Sequence, residues 1–224
     1  MPDLEFRIEA VEVVALAVAP LLAFKLRIDN RTAEPIQTVM LRCQIQLEVT
    51  RRSYTRPEEK HLVDLFGQPE MWGRSLRSML WTNTSEIVPA FTGSTDVRLP
   101  VTCTFDFNVA ATKYFAGIDD GDVPLCLLFS GTIFYVNAGG ALQVCRIPWE
   151  KEACYRLPIR IWQDMMEIYY PQAAWLCLRR DVFQRLYEYK TRRGVPTWDE
   201  AIASALAETD RHVCDDQIKE ARRQ

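Results

Sequence analysis

Apolar and polar residues alternate along several stretches of the chain, the pattern of strands with one face buried and the other in water. From Val39 to Val49, the positions Val39, Leu41, Cys43, Ile45, Leu47 and Val49 form one face, while Met40, Arg42, Gln44, Gln46 and Glu48 form the other. Val97 to Phe107 repeats the pattern, with Leu99, Val101, Cys103 and Phe105 inward. Phe24, Leu26 and Ile28 alternate with Lys25, Arg27 and Asp29, and Tyr155, Leu157, Ile159 and Ile161 make a fourth run. Phe6 and Ile8 mark a shorter strand near the start.

Turn residues separate these runs. Phe129–Val136 and Leu142–Ile147 flank Asn137-Ala138-Gly139-Gly140, which predicts a β-hairpin whose glycines supply positive φ. Asp119-Asp120-Gly121-Asp122 is a second turn, followed by the continuous apolar run Pro124–Phe129, which reads as a strand covered on both faces. Seven or eight such strands linked by hairpins predict a mainly β (α+β) fold, an antiparallel β-sandwich with inserted short helices and a helical C-terminal segment. The pattern favours a sandwich over a parallel α/β sheet, for which no Gly-rich strand-to-helix turn occurs.

Two regions carry helical spacing instead. Glu58–Phe66 predicts a short helix stopped by Gly67, and Pro69–Trp81 a second one with Met71, Trp72, Leu76 and Leu80 along one side. Arg180–Arg193 predicts a third, with Val182, Phe183, Leu186, Tyr187 and Tyr189 apolar and Gly194 at its end. Thr197 and Glu200 are spaced as a capping box for a further helix. The expected organisation is a sandwich domain over 1–161 with its helical insertion at about 57–81, a helical segment over 162–208 packed on it, and a polar tail over 209–224.

Composition narrows the function classes. A formal net charge of −3 and Asp and Glu in excess of Lys and Arg argue against a nucleic-acid surface, which needs basic charge gathered on one face. The seven cysteines are odd in number and include no C-x-x-C pair, so neither a disulfide scaffold nor a structural zinc site is expected. The longest apolar stretch, Val13–Phe24, is interrupted by Pro20 and is shorter than a membrane span of roughly 20 residues. The start of the chain is acidic where a secretory signal would be basic. Together these features predict a cytoplasmic protein with free thiols and no membrane span.

Catalytic chemistry has little to draw on. The two histidines, His61 in a charged run and His212 in the polar tail, read as surface residues rather than general bases. The carboxylates Asp119, Asp120 and Asp122 are clustered like calcium ligands but lack the periodic loop and closing glutamate, so a solvated turn is the expected reading; Asp215-Asp216 form a second pair. No phosphate loop or other cofactor motif is present, so no cofactor is expected. Aromatic residues are more informative. Tryptophan and arginine, the residue types that dominate binding hot spots, recur together: Trp72 with Arg74, Trp81 with Arg77, and Trp175 with Arg179 and Arg180. Trp162 opens the segment Trp162–Pro171, in which Met165 and Met166 stand beside aromatics. The competing readings are that these tryptophans seal helices onto the sandwich, or that Trp72, Arg74, Arg77, Trp81, Trp162 and Trp175 form a partner-binding surface.

Five stretches carry a family resemblance: Leu41–Glu48, Asp64–Gly67, Leu127–Thr132, Trp162–Pro171, and Tyr189-Lys190 through Pro196–Asp199. They resemble an uncharacterised bacterial family encoded beside actinobacterial-type, oxygen-tolerant nickel–iron hydrogenase genes, over residues 4 to 206. The resemblance implies a non-enzymatic accessory or interaction protein, with hydrogenase subunits or maturation factors as partners. A small-ligand binding sandwich and an enzyme of unrecognised type are the alternatives.

Overall fold

The alternating runs form strands because each can bury one face against another sheet. The computed structural model describes residues 1–208, and the polar tail expected over 209–224, with His212, Cys214 and Asp215-Asp216, lies outside the described residues. The chain divides into two compact units, the first spanning Met1–Ala173 and the second beginning at Ala174. The first unit holds β1 (Leu4–Val13), β2 (Leu21–Asn30), β3 (Ile36–Leu47), α1 (Arg56–Phe66), α2 (Trp72–Ser75), β4 (Met79–Val88), β5 (Ser94–Thr102), α3 (Val109–Ala116), β6 (Asp122–Val136), β7 (Leu142–Arg146), β8 (Glu152–Pro158) and α4 (Ile159–Tyr169).

The strands build an antiparallel three-stranded sheet in the order β1-β2-β5 and a five-stranded sheet in the order β4-β3-β6-β7, with β8 also on β6. β6 is the spine of the larger sheet. One edge pairs with β3, while the other takes β8 along Asp122–Leu128 and β7 along Thr132–Val136. The inner faces meet as a sandwich: Phe6 of β1 stacks on Phe129 of β6 with ring centres 4.3 Å apart, and Phe24 of β2 meets Trp81 of β4 edge-on at 6.0 Å. The alternation in β3 is followed throughout, with Val39, Leu41, Cys43, Ile45 and Leu47 buried. The Asn137–Gly140 turn joins β6 to β7 as a hairpin in which Val136 faces Leu142. Between β6 and β3 the backbones approach so closely at Gly131 (φ +141°) that a Cβ there would lie 2.0 Å from the Met40 carbonyl oxygen. Gly131→Ala therefore has to part the central ladder, and we expect a loss of about 2–4 kcal/mol, read as a lower urea midpoint at unchanged slope.

Four expectations are corrected. Pro69–Trp81 is not one helix: a 3-10 turn over Pro69–Met71 and the four-residue α2 give way at Leu76, whose ψ of 136° is extended, and β4 begins at Met79. Gly73 weakens that helix, and pairing of Met79 and Leu80 with Leu47 and Gln46 supplies the competing hydrogen bonds. The run Tyr155–Ile161 is strand only to Pro158; Ile159, Trp162, Met165 and Met166 then form the buried face of α4. The run Val97–Phe107 is strand only to Thr102; Cys103 stays buried and its amide still donates to the Pro20 carbonyl at 2.9 Å. Because α4 is built into the core, the first unit continues to Ala173 instead of ending at residue 161. Among the described residues no helix is long and apolar enough to cross a membrane.

Candidate functional site

The helical insertion is fixed to the sandwich by a buried ion pair. Thr55 caps α1: its side chain accepts from the Glu58 amide and Glu58 reaches back to the Thr55 amide at 2.8 Å. Glu58, though only 1% exposed, is held by two more donors, the Arg52 guanidinium at 2.6 Å and the Asp119 amide at 3.1 Å. Burial pushes the Glu58 carboxyl upward, but the Thr55 amide, Arg52 and the Asp119 amide outweigh it, so the group is held below the usual carboxylate range. Arg52 also donates to the carbonyls of Asp122 at 2.7 Å and Asp120 at 2.6 Å. Arg52 thus ties the backbone of the acidic turn to α1, while the Asp120 carboxylate lies 3.6 Å from Arg160 and the Asp119 carboxylate 3.8 Å from His61. Among the described residues no three His, Cys, Asp or Glu side chains converge as metal ligands.

The tryptophans divide by location. Trp72 is buried edge-on against Tyr54 and Phe66, and its indole N–H donates to the Gly67 carbonyl at 2.9 Å. Trp81 is buried against Phe24 and Phe115, and Trp162 is buried in a stack on Phe115 at 5.3 Å. These three are therefore core residues sealing α1, α3 and α4 to the sheets, and they do not form a contact face. Arg74, within α2, and Arg77, just after it, are exposed. Trp175 belongs to the second unit and is 39% exposed. Sequence reasoning also passed over Trp149, which is 90% exposed on the β7–β8 connection.

The second unit gathers its aromatic residues differently. It contains α5 (Arg180–Arg193) and a helix over 198–208, here α6, joined through Gly194 in the left-handed conformation (φ +65°). The Thr197 hydroxyl accepts from the Glu200 amide at 3.2 Å, as the capping spacing predicts. Trp198 packs on Phe183 at 5.2 Å and Tyr187 at 6.2 Å, with the Lys190 ammonium 5.6 Å above its ring. No residue of α5 is buried, although its spacing gives it an apolar face. That face opens into a groove of about 230 Å³ lined by Leu176, Leu178, Phe183, Leu186, Trp198 and Ile202. On the adjoining side of α5, Arg185, Tyr189 and Arg192 flank a second cleft. Among the described residues the Tyr189 hydroxyl is enclosed without a hydrogen-bond partner.

The two sheets and the helices that follow them define an α+β protein. The chain belongs to the family of unknown function DUF6084, whose model matches residues 1–213. No curated protein matches it significantly. Solved structures similar to it include the CARDB domain of the PF1109 protein in complex with di-metal ions from Pyrococcus furiosus, at 12% identity and a TM-score of 0.29 over 70% of this chain and 92% of that one. A putative late embryogenesis abundant (LEA) protein, At2g46140.1, matches at 14% identity and a TM-score of 0.29 over 70% of this chain and 73% of that one. The putative ApaA protein from Bordetella pertussis matches at 14% identity and 0.25, over 70% and 95% of the respective chains. Likenesses this distant say nothing about the activity of this chain.

Proposed function

We propose that this protein is a non-enzymatic accessory protein that binds a protein partner through the α5–α6 groove. The observation that carries the proposal is the apolar groove itself: Phe183, Leu186, Trp198 and Ile202 line an open surface on a unit that buries few side chains of its own. Burial of aromatic and aliphatic anchors in such a groove is the main energetic source of helix-in-groove recognition. Arg185 and Arg192 line the adjoining cleft on α5 together with Glu188, so a partner segment that carries acidic residues beside its apolar anchors would meet them there. The resemblance described above supplies the partner class, subunits of a nickel–iron hydrogenase or its maturation factors.

The test is affinity purification of the tagged chain from cells expressing such a hydrogenase. We expect hydrogenase subunits or maturation factors to elute with the wild type and to fall at least tenfold with Phe183→Asp, while the melting transition of the sandwich stays in place. Equal recovery with both proteins removes the groove from the interaction. Elution without any of these proteins removes the hydrogenase reading.

A further inference from the structure

Cys126 of β6 and Cys154 of β8 are directly opposed across an antiparallel ladder. Their place in the ladder fixes how close they come. The Phe129 amide donates to the Lys151 carbonyl, and the Ile159 amide to the Gly121 carbonyl, each at 2.9 Å. Both bonds join residues opposed in the register that pairs Cys126 with Cys154, so hydrogen-bonded pairs fall on the odd positions of β6. Cys126 and Cys154 therefore form a non-hydrogen-bonded pair, where Cα atoms stand ~4.5 Å apart and the side chains are closest. A disulfide bridges Cα separations of ~4.4–6.8 Å. Both side chains lie on the outer face of the sheet, since Leu125, Leu127, Ala153 and Leu157 take the inner one.

Access to the pair is one-sided. Cys154 is exposed and Cys126 half-buried. Cys154 borders a recess of about 170 Å³ also lined by Glu48, Arg51 and Arg156. Arg51 is paired with Glu48 at 3.4 Å, whereas Arg156 stands at the recess as a cation suited to a carboxylate-bearing thiol. The other described cysteines lack this arrangement: Cys43 and Cys103 are buried, with thiols pushed up to about 12 by burial, and Cys145 and Cys177 have no cysteine opposite them in a ladder.

We propose that Cys126 and Cys154 form a reversible dithiol–disulfide site, oxidised by a low-molecular-weight disulfide of the glutathione class. The Cys154 thiolate attacks one sulfur of oxidised glutathione, and one glutathione leaves as thiolate. The Cys126 thiolate then attacks the Cys154 sulfur of the mixed disulfide, the second glutathione leaves, and the protein S–S bond remains. The two protein thiols lose two electrons and two protons, and the small disulfide is reduced to two thiols. Exposure makes Cys154 the attacking residue. The Cys126 thiol is pushed up to about 11 by burial first and then by Glu152, Cys154 and Glu48, and it donates to the Glu152 carboxylate at 3.8 Å, so it serves as the slower, resolving group. The bond fastens β8, which pairs only with β6, to the spine of the sheet.

The experiment is to incubate the full chain with oxidised glutathione, alkylate the remaining thiols and map disulfides by tandem mass spectrometry without reduction. Cys126 and Cys145 share a tryptic peptide, so the bond is assigned from fragment ions. We expect a Cys126–Cys154 cross-link that reduced glutathione removes. With Cys126→Ser, glutathione should remain on Cys154, and with Cys154→Ser, Cys126 should stay unmodified. A stable glutathione adduct on Cys154 of the wild type, a cross-link to another cysteine, or no reaction at either position overturns the proposal.

Discussion

Trp81→Ala should cost about 3–5 kcal/mol of stability, the range for removing a large aromatic side chain from a packed interior. Trp81 is 4% exposed and touches both layers that meet over it, Phe24 of β2 edge-on at 6.0 Å and Phe115 of α3 at 4.8 Å. The cavity would open between the two sheets and beneath α3, where Trp162 also stacks on Phe115, so no flexible neighbour can fill it cheaply. A small protein has ~5–15 kcal/mol in total, so the variant forfeits a large share of its margin. Thermal unfolding followed by circular dichroism should show a fall on the order of 10 °C, with Trp81→Phe losing less. An unchanged melting temperature would mean that Trp81 is not packed as described. Loss of partner binding by this variant reports loss of fold, which is why Phe183 is the more informative position for testing an interface.

Glu58→Gln should cost about 3–5 kcal/mol at neutral pH, because it leaves the Arg52 guanidinium enclosed without its counter-charge. The effect is pH-dependent with a determined sign. The native Glu58 carboxyl is held below its usual range, so its contribution is fully present above the unfolded-state value of ~4.3 and is lost as pH falls through the lower native value. The stability difference between wild type and Glu58→Gln should therefore be flat from pH 7 down to about 5 and shrink below ~4. Urea denaturation across that range measures it. A constant gap throughout would mean that the carboxylate is not held by these donors.

The elements that could be read from the chain are those whose periodicity matches their burial. β3 is buried at each position that the alternation assigns inward, and the β6–β7 turn is announced by Asn137 and two glycines. Reading failed where two periods share their first members. Leu157, Ile159 and Ile161 suit a strand, yet Pro158 ends the ladder and Ile159, Trp162 and Met166 repeat at helical spacing. α3 has no strong signal beyond Asn108, whose side chain accepts from the Ala111 amide, because Tyr114 and Phe115 are adjacent and announce no clear stripe. The candidate site was harder still. Tryptophan near arginine describes Trp72, Trp81 and Trp175 alike, but local sequence cannot say that the first two are enclosed by residues far away in the chain, such as Tyr54 and Phe24. The Cys126–Cys154 pair is invisible for the same reason, since only the register of β6 against β8 brings them opposite one another.

The strand order of the smaller sheet also governs how the molecule assembles. β1 and β2 are consecutive, but the sheet is completed by β5, which follows in the chain only after β3 and β4, two strands of the opposite sheet. Closing β2 on β5 joins Asp29 to Ser94 and so encloses everything between them in one loop. The smaller sheet therefore gains its third strand only across a loop that contains two strands of the larger one. The sandwich should gain its structure in a single concerted step, at the slow rate expected when distant strands must meet before their contacts repay the lost chain entropy.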